Sequence, residues 1–430
     1  MSFKKRLMTG ALATLMSAAG LAGAANAATE IQWWHAFTGR LGDLLAKQVE
    51  DYNASQSDYV VVATNKGNYS ETLNAGIAAF RAGEQPHILQ VVEVGTATMM
   101  SAKGASKPVY EVMAESGLSF DPNVYLPAVA GYYTTTDGQM LSLPYNSSTP
   151  VLYINKDALK TAGLDPETKP KTWGEVETVL TALKASGSAC PLTTAWQSWV
   201  HLENLSAYHN VPFATKDNGF AGIDTELAFN GPLQVRHIDT LGRWAKDGLF
   251  IYSGRRNEGG ARFRSGECAL FTESSAGYAG VKAEAQFPFA VVNLPYWDDV
   301  AGAPQNTIIG GASLWVMAGH EAEEYKGVAD FNFLSSAEVQ ADWHQNTGYL
   351  PITTAAYELT KSQGFYETSP GTDIAILQMT GKAPTGNSKG LRLGSFDQIR
   401  GIIDEELEGV WSGSKSAQEA LDAAVERGNQ

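Results

Sequence analysis

The stretch LSLPYNSSTPVLYINKD, residues 141–157, decides the fold. Residues 141–145 and 151–154 are apolar runs of strand length. Between them lies Asn146-Ser147-Ser148-Thr149, punctuated by Pro144 and Pro150. Proline has no N–H to donate to a sheet ladder, so pairing is expected to break at both prolines. The chain then leaves one sheet and enters another, with Asn146 and three hydroxyls at the changeover. Changeovers between sheets are where α/β proteins commonly bind ligands. The local pattern fits a Ser/Asn-rich surface hairpin loop equally well.

Upstream of this stretch, strands and helices alternate. Residues 30–34, 59–63 and 87–92 predict strands. In residues 39–52, Leu41, Leu44, Leu45, Val49 and Tyr52 fall at helical spacing. Residues 70–81 predict a second helix with Ser70 as its cap, and Thr96 opens another. That order is the signature of a parallel sheet with helices on its faces. Downstream, helices are expected at 156–162, 172–185 and 233–247, and strands at 269–272 and 289–292. Residues 307–317, TIIGGASLWVM, form a second apolar run with a small polar break, a candidate second crossing. From residue 321 the pattern is mostly helical.

The chain has 430 residues, more than one core usually takes, so two lobes are expected. A net charge of −15 argues against nucleic acid and anionic membrane surfaces as partners. Lys4, Lys5 and Arg6 precede an apolar run at 7–23, and Ala25-Asn26-Ala27 supplies the small residues of a cleavage site. This is the layout of a secretory signal peptide, with a mature chain from Ala28. No Cys stands there to carry lipid, and no later segment is long and apolar enough to span a bilayer. Export to an oxidising space favours a Cys190–Cys268 disulfide over two separate buried thiols, although sequence alone does not bring their Cα atoms together. His35, His87, His201, His209, His237, His320 and His344 show no metal-ligand spacing, so neither metal nor cofactor is expected. Gly-x-Ser-x-Gly and Walker motifs are missing from the sequence.

KGNYSETLNAGIAAFRAG, ILQVVEVGTATMM, LPYNSSTPVLYINKDAL, AWQSWVHLEN, IIGGASLWVM, WHQNTGYLPIT, GLRLG and QIRGIIDEELEGVW follow one another along the chain. As an ordered set they resemble the glycerol-phosphate-binding branch of the extracellular solute-binding proteins, a family that also serves maltose and other sugars. The resemblance covers the mature chain from Trp34-His35 to the C-terminal helix. It implies an α/β, two-lobed periplasmic binding protein of type II whose lobes are joined by several crossings. It places a signal peptide at 1–27, one lobe at 28–145 plus 312–350, and the other at 146–311 plus 351–430. It implies a periplasmic monomer, not an enzyme, that needs no cofactor. The implied ligand is sn-glycerol-3-phosphate, or a glycerophosphodiester such as glycerophosphocholine, delivered to inner-membrane ABC permease subunits. By matching motifs it places Tyr69, Glu93, Ser148, Trp196, Trp199, Ser274, Gly311, Tyr349 and Arg400 around that ligand.

The chemistry of these residues suits a phosphate ester. A phosphomonoester carries close to two negative charges near neutrality and needs donors. Arg400 offers a guanidinium fork, and Ser148, Ser274, Tyr69 and Tyr349 offer hydroxyls. Gly311 lets backbone come close. Glu93 would repel phosphate, so it is assigned the glycerol hydroxyls. Trp196 and Trp199 form an aromatic wall. Glu273, beside Ser274, is expected to face away, because a carboxylate aimed at phosphate is costly. Each residue also has a plainer reading: Arg400 as a surface residue, Glu93 as a solvated group or cap, Tyr69 and Tyr349 as packing, Trp196 and Trp199 as one buried helix face, and Ser274 as a cap. Two other functions fit in outline. A neutral-sugar binder would have no use for Arg400 with Ser148 and Ser274. A secreted phosphodiesterase would need catalytic residues dispersed along the sequence.

Overall fold

A computed structural model describes residues 28–135, 137–222 and 224–430. The expected signal peptide at 1–27 lies outside the described residues. The first strand, β1 (Thr29–His35), buries Ile31, Trp33 and His35 and exposes Glu30 and Gln32, the alternation of a strand with one covered face. It pairs in parallel with β2 (Tyr59–Asn65) and with β3 (Ile88–Val92), whose five residues are all buried. Helices Gly39–Ser55 and Tyr69–Ala82 make the two crossovers. The second starts at a capping box of Asn68 and Glu71; Ser70, the expected cap, instead donates its hydroxyl to Asp397 at 2.8 Å.

The opening stretch is built differently from the expectation in one respect. Strand β4 runs over Leu143–Ser148, straight through Pro144, and β5 (Pro150–Asn155) starts at the second proline. Pro144 is tolerated because the ladder slips register between Pro144 and Asn146, and Pro150 because it opens its strand. Asn146, Ser147 and Thr149 have no exposed surface, so the stretch is not a surface loop. The chain does change sheets here, at Thr149 alone. Strand β4 lies in a five-stranded sheet of order β2-β1-β3-β9-β4, in which β9 is Gly310–Val316. Strand β5 lies in a four-stranded sheet of order β6-β7-β5-β8, built with β6 (Cys190–Thr194), β7 (Cys268–Ser274) and β8 (Phe289–Asn293).

The apolar run at 307–317 carries the chain back. Ile308 packs into the core of Trp173 and Trp244, Ile309 into the core of Trp33 and Tyr145, and β9 (Gly310–Val316) follows. Entering the first sheet from the changeover end, β9 runs antiparallel to both β3 and β4. The sheet is therefore mixed rather than wholly parallel. In the second sheet β6 and β7 are parallel, and their register sets Cys190 opposite Cys268, which form a disulfide. Helices Pro232–Asp247, Phe396–Trp411 and Ala417–Gly428 pack together on this sheet through Leu241, Trp244, Ile403, Leu407 and Leu421.

Candidate functional site

The two sheets face each other across a cavity of about 270 Å³. All nine residues singled out from the sequence line it, together with Phe37, Arg256, Asn257 and Glu273. Strand and helix ends supply most of them. Glu93 follows β3, Ser148 ends β4, Ser274 ends β7, and Tyr69 opens its helix. The Tyr69 hydroxyl accepts from Asn146 Nδ2 at 2.9 Å, and Asn146 Oδ1 accepts from Gln90 at 2.9 Å. The changeover asparagine thus orients a cavity hydroxyl. Tyr349 stacks flat on Trp343, ring centroids 5.9 Å apart. Ser274 Oγ accepts from the Ala276 N–H at 3.1 Å; it caps the following turn, and its own proton remains free to donate.

Gly311 has a different job from the expected one. It sits at φ +102°, and a Cβ there would overlap the Asn146 carbonyl. The glycine lets β9 pass against β4. Trp196 and Trp199 do not share a helix face. Trp196 stands at φ +48°, its N–H bonded to the Arg256 carbonyl at 2.9 Å, whereas Trp199 begins a π-turn over Trp199–Asn204.

The charges are arranged more tightly than the sequence suggests. Arg400, on helix Phe396–Trp411, donates Nε and Nη2 to the two oxygens of Glu203 at 2.8 and 2.7 Å. Its Nη2 also reaches Glu93 Oε1 at 2.7 Å. Arg400 is therefore neither a surface residue nor a free fork. Nη1 alone is without a partner among the described residues. Burial by itself would lower the Arg400 pKa, but the carboxylates of Glu203 and Glu93 outweigh it and hold the guanidinium charged. Burial raises Glu93 above the usual carboxylate range despite the pull of Arg400. The cluster joins the end of β3 in one sheet to a helix packed on the other. Ser70 and Asp397 make a second such link at 2.8 Å.

Glu273 faces inward, against expectation. Its carboxylate accepts the Ser274 N–H at 2.6 Å, and the residue is 4% exposed. The expected cost of such a carboxylate is met by a proton: burial pushes Glu273 up to about 8. Asp404, one helical turn beyond Arg400, is pushed up to about 7 by burial.

Two charged residues of the site escaped the sequence reading. Glu203 does not line the cavity but holds Arg400 from behind it; it lies four residues beyond Trp199 in the same helical turn. The Arg256 guanidinium reaches Ser70 Oγ at 3.3 Å and has no carboxylate partner among the described residues; nothing in the local sequence marks it.

Away from the cavity, ring nitrogens of His87 and His320 lie with a Glu324 oxygen within 4.8 Å of one another. The hydrogen bonding does not suit a metal. His87 Nδ1 accepts the Gln32 N–H at 2.9 Å, so the neutral ring carries its proton on Nε2, the atom facing Glu324 at 3.3 Å.

A family model described as "Bacterial extracellular solute-binding protein" matches residues 47–370. The chain is 54% identical to the "sn-glycerol-3-phosphate-binding periplasmic protein UgpB" of Pectobacterium atrosepticum over 407 residues, covering 94% of this chain and 91% of that protein. It is equally identical to the protein of that name from Salmonella typhimurium, over 95% of this chain and 93% of that one. Among solved structures, UgpB from Mycobacterium tuberculosis in complex with glycerophosphocholine superposes with a TM-score of 0.76 at 19% identity, covering 93% of this chain and 97% of that one. The cyclic alpha-maltosyl-1,6-maltose binding protein of Arthrobacter globiformis superposes at 0.72 with 23% identity, over 94% and 98% of the two chains. These two show the shared fold.

Proposed function

The chain belongs to the bacterial extracellular solute-binding protein family, and from that premise we propose that it captures sn-glycerol-3-phosphate in the periplasm for an ABC importer. It is a binding protein, not an enzyme. The observation that carries the reading is the convergence of Tyr69, Ser148, Ser274, Tyr349 and Arg400 on one cavity between two sheets. The phosphate takes Arg400 Nη1 and the hydroxyls, with Arg256 as a second cation. Glu93, one oxygen engaged by Arg400, offers the other to the glycerol hydroxyls.

The two sheets with their helices are the lobes, hinged at Thr149 and at residues 294–309. Ligand touching both sides stabilises the closed arrangement, which the permease reads. Glycerophosphodiesters such as glycerophosphocholine enter the same cleft by their glycerol-phosphate end. The protein acts as a monomer and takes no part in nucleic-acid binding.

Thermal melting of the mature protein, refolded free of ligand, tests this. At 100-fold excess over Kd a ligand adds about 2.7 kcal/mol of stability. Glycerol-3-phosphate should raise the midpoint, and maltose should not. A shift with maltose alone would replace the phosphate reading by a sugar one.

A further inference from the structure

Glu273 stands apart from the other acids of the cleft. Glu93 and Glu203 share Arg400, but Glu273 has no salt bridge among the described residues. The Ser274 N–H donates to it at 2.6 Å, and the Trp196 indole is its other donor. The basic side chains nearby are turned elsewhere: Arg264 holds Glu284 at 2.7 Å, and Arg256 reaches Ser70. A carboxylate buried without a counter-charge is expensive, and the wall of a binding cleft is a poor place to leave one unused.

We propose that Glu273 determines specificity within this cleft by receiving the cationic head group of a glycerophosphodiester, so that choline and ethanolamine diesters bind ahead of diesters with neutral head groups. The inference rests on the glycerol-phosphate reading and names the ligand end which that reading leaves open.

Three features support it. First, Trp196, Trp199 and Phe37 line the same cavity as Glu273, and aromatic faces attract ammonium groups. Second, Arg400 is bound by two carboxylates, so the cluster it forms with Glu93 and Glu203 carries no surplus positive charge. Among the described residues, that leaves Arg256 as the cleft's unpaired cation, a match for the single negative charge of a diester phosphate. Third, Glu273 can take either charge state. In the empty cleft burial holds it protonated to about pH 8, with Glu258 pushing its pKa up and Arg264 and the Trp196 N–H drawing it down. Tyr153 and Tyr349, which also feel the Glu273 charge, are themselves raised by burial. A seated cation takes the place of that proton.

The test is calorimetric titration at pH 7 of the mature protein and Glu273→Gln, in two buffers of different ionisation enthalpy. The probes are glycerophosphocholine, glycerophosphoethanolamine, glycerophosphoglycerol and glycerol-3-phosphate. The native protein should favour the two cationic diesters over glycerophosphoglycerol by about tenfold or more. It should release about one proton with those two ligands only. Glu273→Gln should still bind phosphate esters but lose both the preference and the proton release. Glu273→Asp, with a shorter reach, should keep part of each and serves as the test if the Gln variant does not fold. An unchanged preference in the variant, or none in the native protein, overturns the proposal while leaving phosphate binding intact. Failure of all four ligands on the native protein overturns the phosphate reading itself.

Discussion

Arg400→Ala tests the charge cluster that joins the two sheets. In the native protein one guanidinium makes three hydrogen bonds to two carboxylates, and Glu93 and Glu203 are 5% and 2% exposed. Removing the cation leaves two buried acids side by side. Breaking a buried pair from one side costs about 3–5 kcal/mol, against about 0–1 for an exposed pair. The loss should depend on pH. Without Arg400 the burial that already raises Glu93 is no longer opposed by the guanidinium, so the folded variant binds more protons than the unfolded chain. Its stability is then greatest below the unfolded pKa and falls as pH rises, by at most about 1.4 kcal/mol per pH unit. The assay is urea unfolding followed by circular dichroism at pH 5 and pH 8. The variant should lie closest to the native protein at pH 5 and furthest at pH 8. A cost below about 1 kcal/mol at pH 8, or one equal at both pH values, would refute the buried-cluster reasoning.

Other perturbations read other parts of the molecule. Replacing Cys190 and Cys268 by serine opens a link across 78 residues, worth about 4–5 kcal/mol in the chain-entropy account, and should lower the melting temperature in the absence of any reductant. Gly311→Ala needs a Cβ where the Asn146 carbonyl lies, at a φ of +102°; it should destabilise the β4–β9 pairing and weaken ligand binding together, and normal melting would contradict this. Glu273 is raised from 4.5 to about 8 on folding, so its contribution to stability is complete below pH 4.5 and is lost as pH rises towards 8. Glu273→Gln in the empty protein should therefore gain on the native protein between pH 5 and pH 8, and a constant difference in melting temperature would count against a buried, unpaired carboxyl.

What the sequence made legible follows from period and punctuation. Strands such as β1 and β3 and helices such as Gly39–Ser55 announce themselves, because one face or both must be apolar. The sheet change at Thr149 was readable from the two prolines, although the stated reason was partly wrong: Pro144 sits inside β4 because a register slip absorbs its missing N–H. The direction of β9 was not readable, since it depends on which end of the sheet the returning chain meets. The nine cavity residues came from ordered motifs and do meet in one place, but their roles shifted with their neighbours. Arg400 looked like a free fork because Glu203, 197 positions away, is invisible from its own segment. Glu273 was expected outside because a carboxylate by a phosphate is costly, an argument that omits the proton burial gives it. Ser70 lost the cap to Asn68, whose partner Glu71 completes a capping box that was present in the sequence to be read.

The central claim is that this cleft binds a glycerol phosphate, and isothermal titration of ligand-free mature protein with sn-glycerol-3-phosphate tests it most directly. The account predicts saturable one-to-one binding at micromolar Kd or tighter, about 8 kcal/mol or more, abolished by Arg400→Ala. No heat with glycerol-3-phosphate or any of its diesters, from protein that is folded and binds maltose, would contradict it.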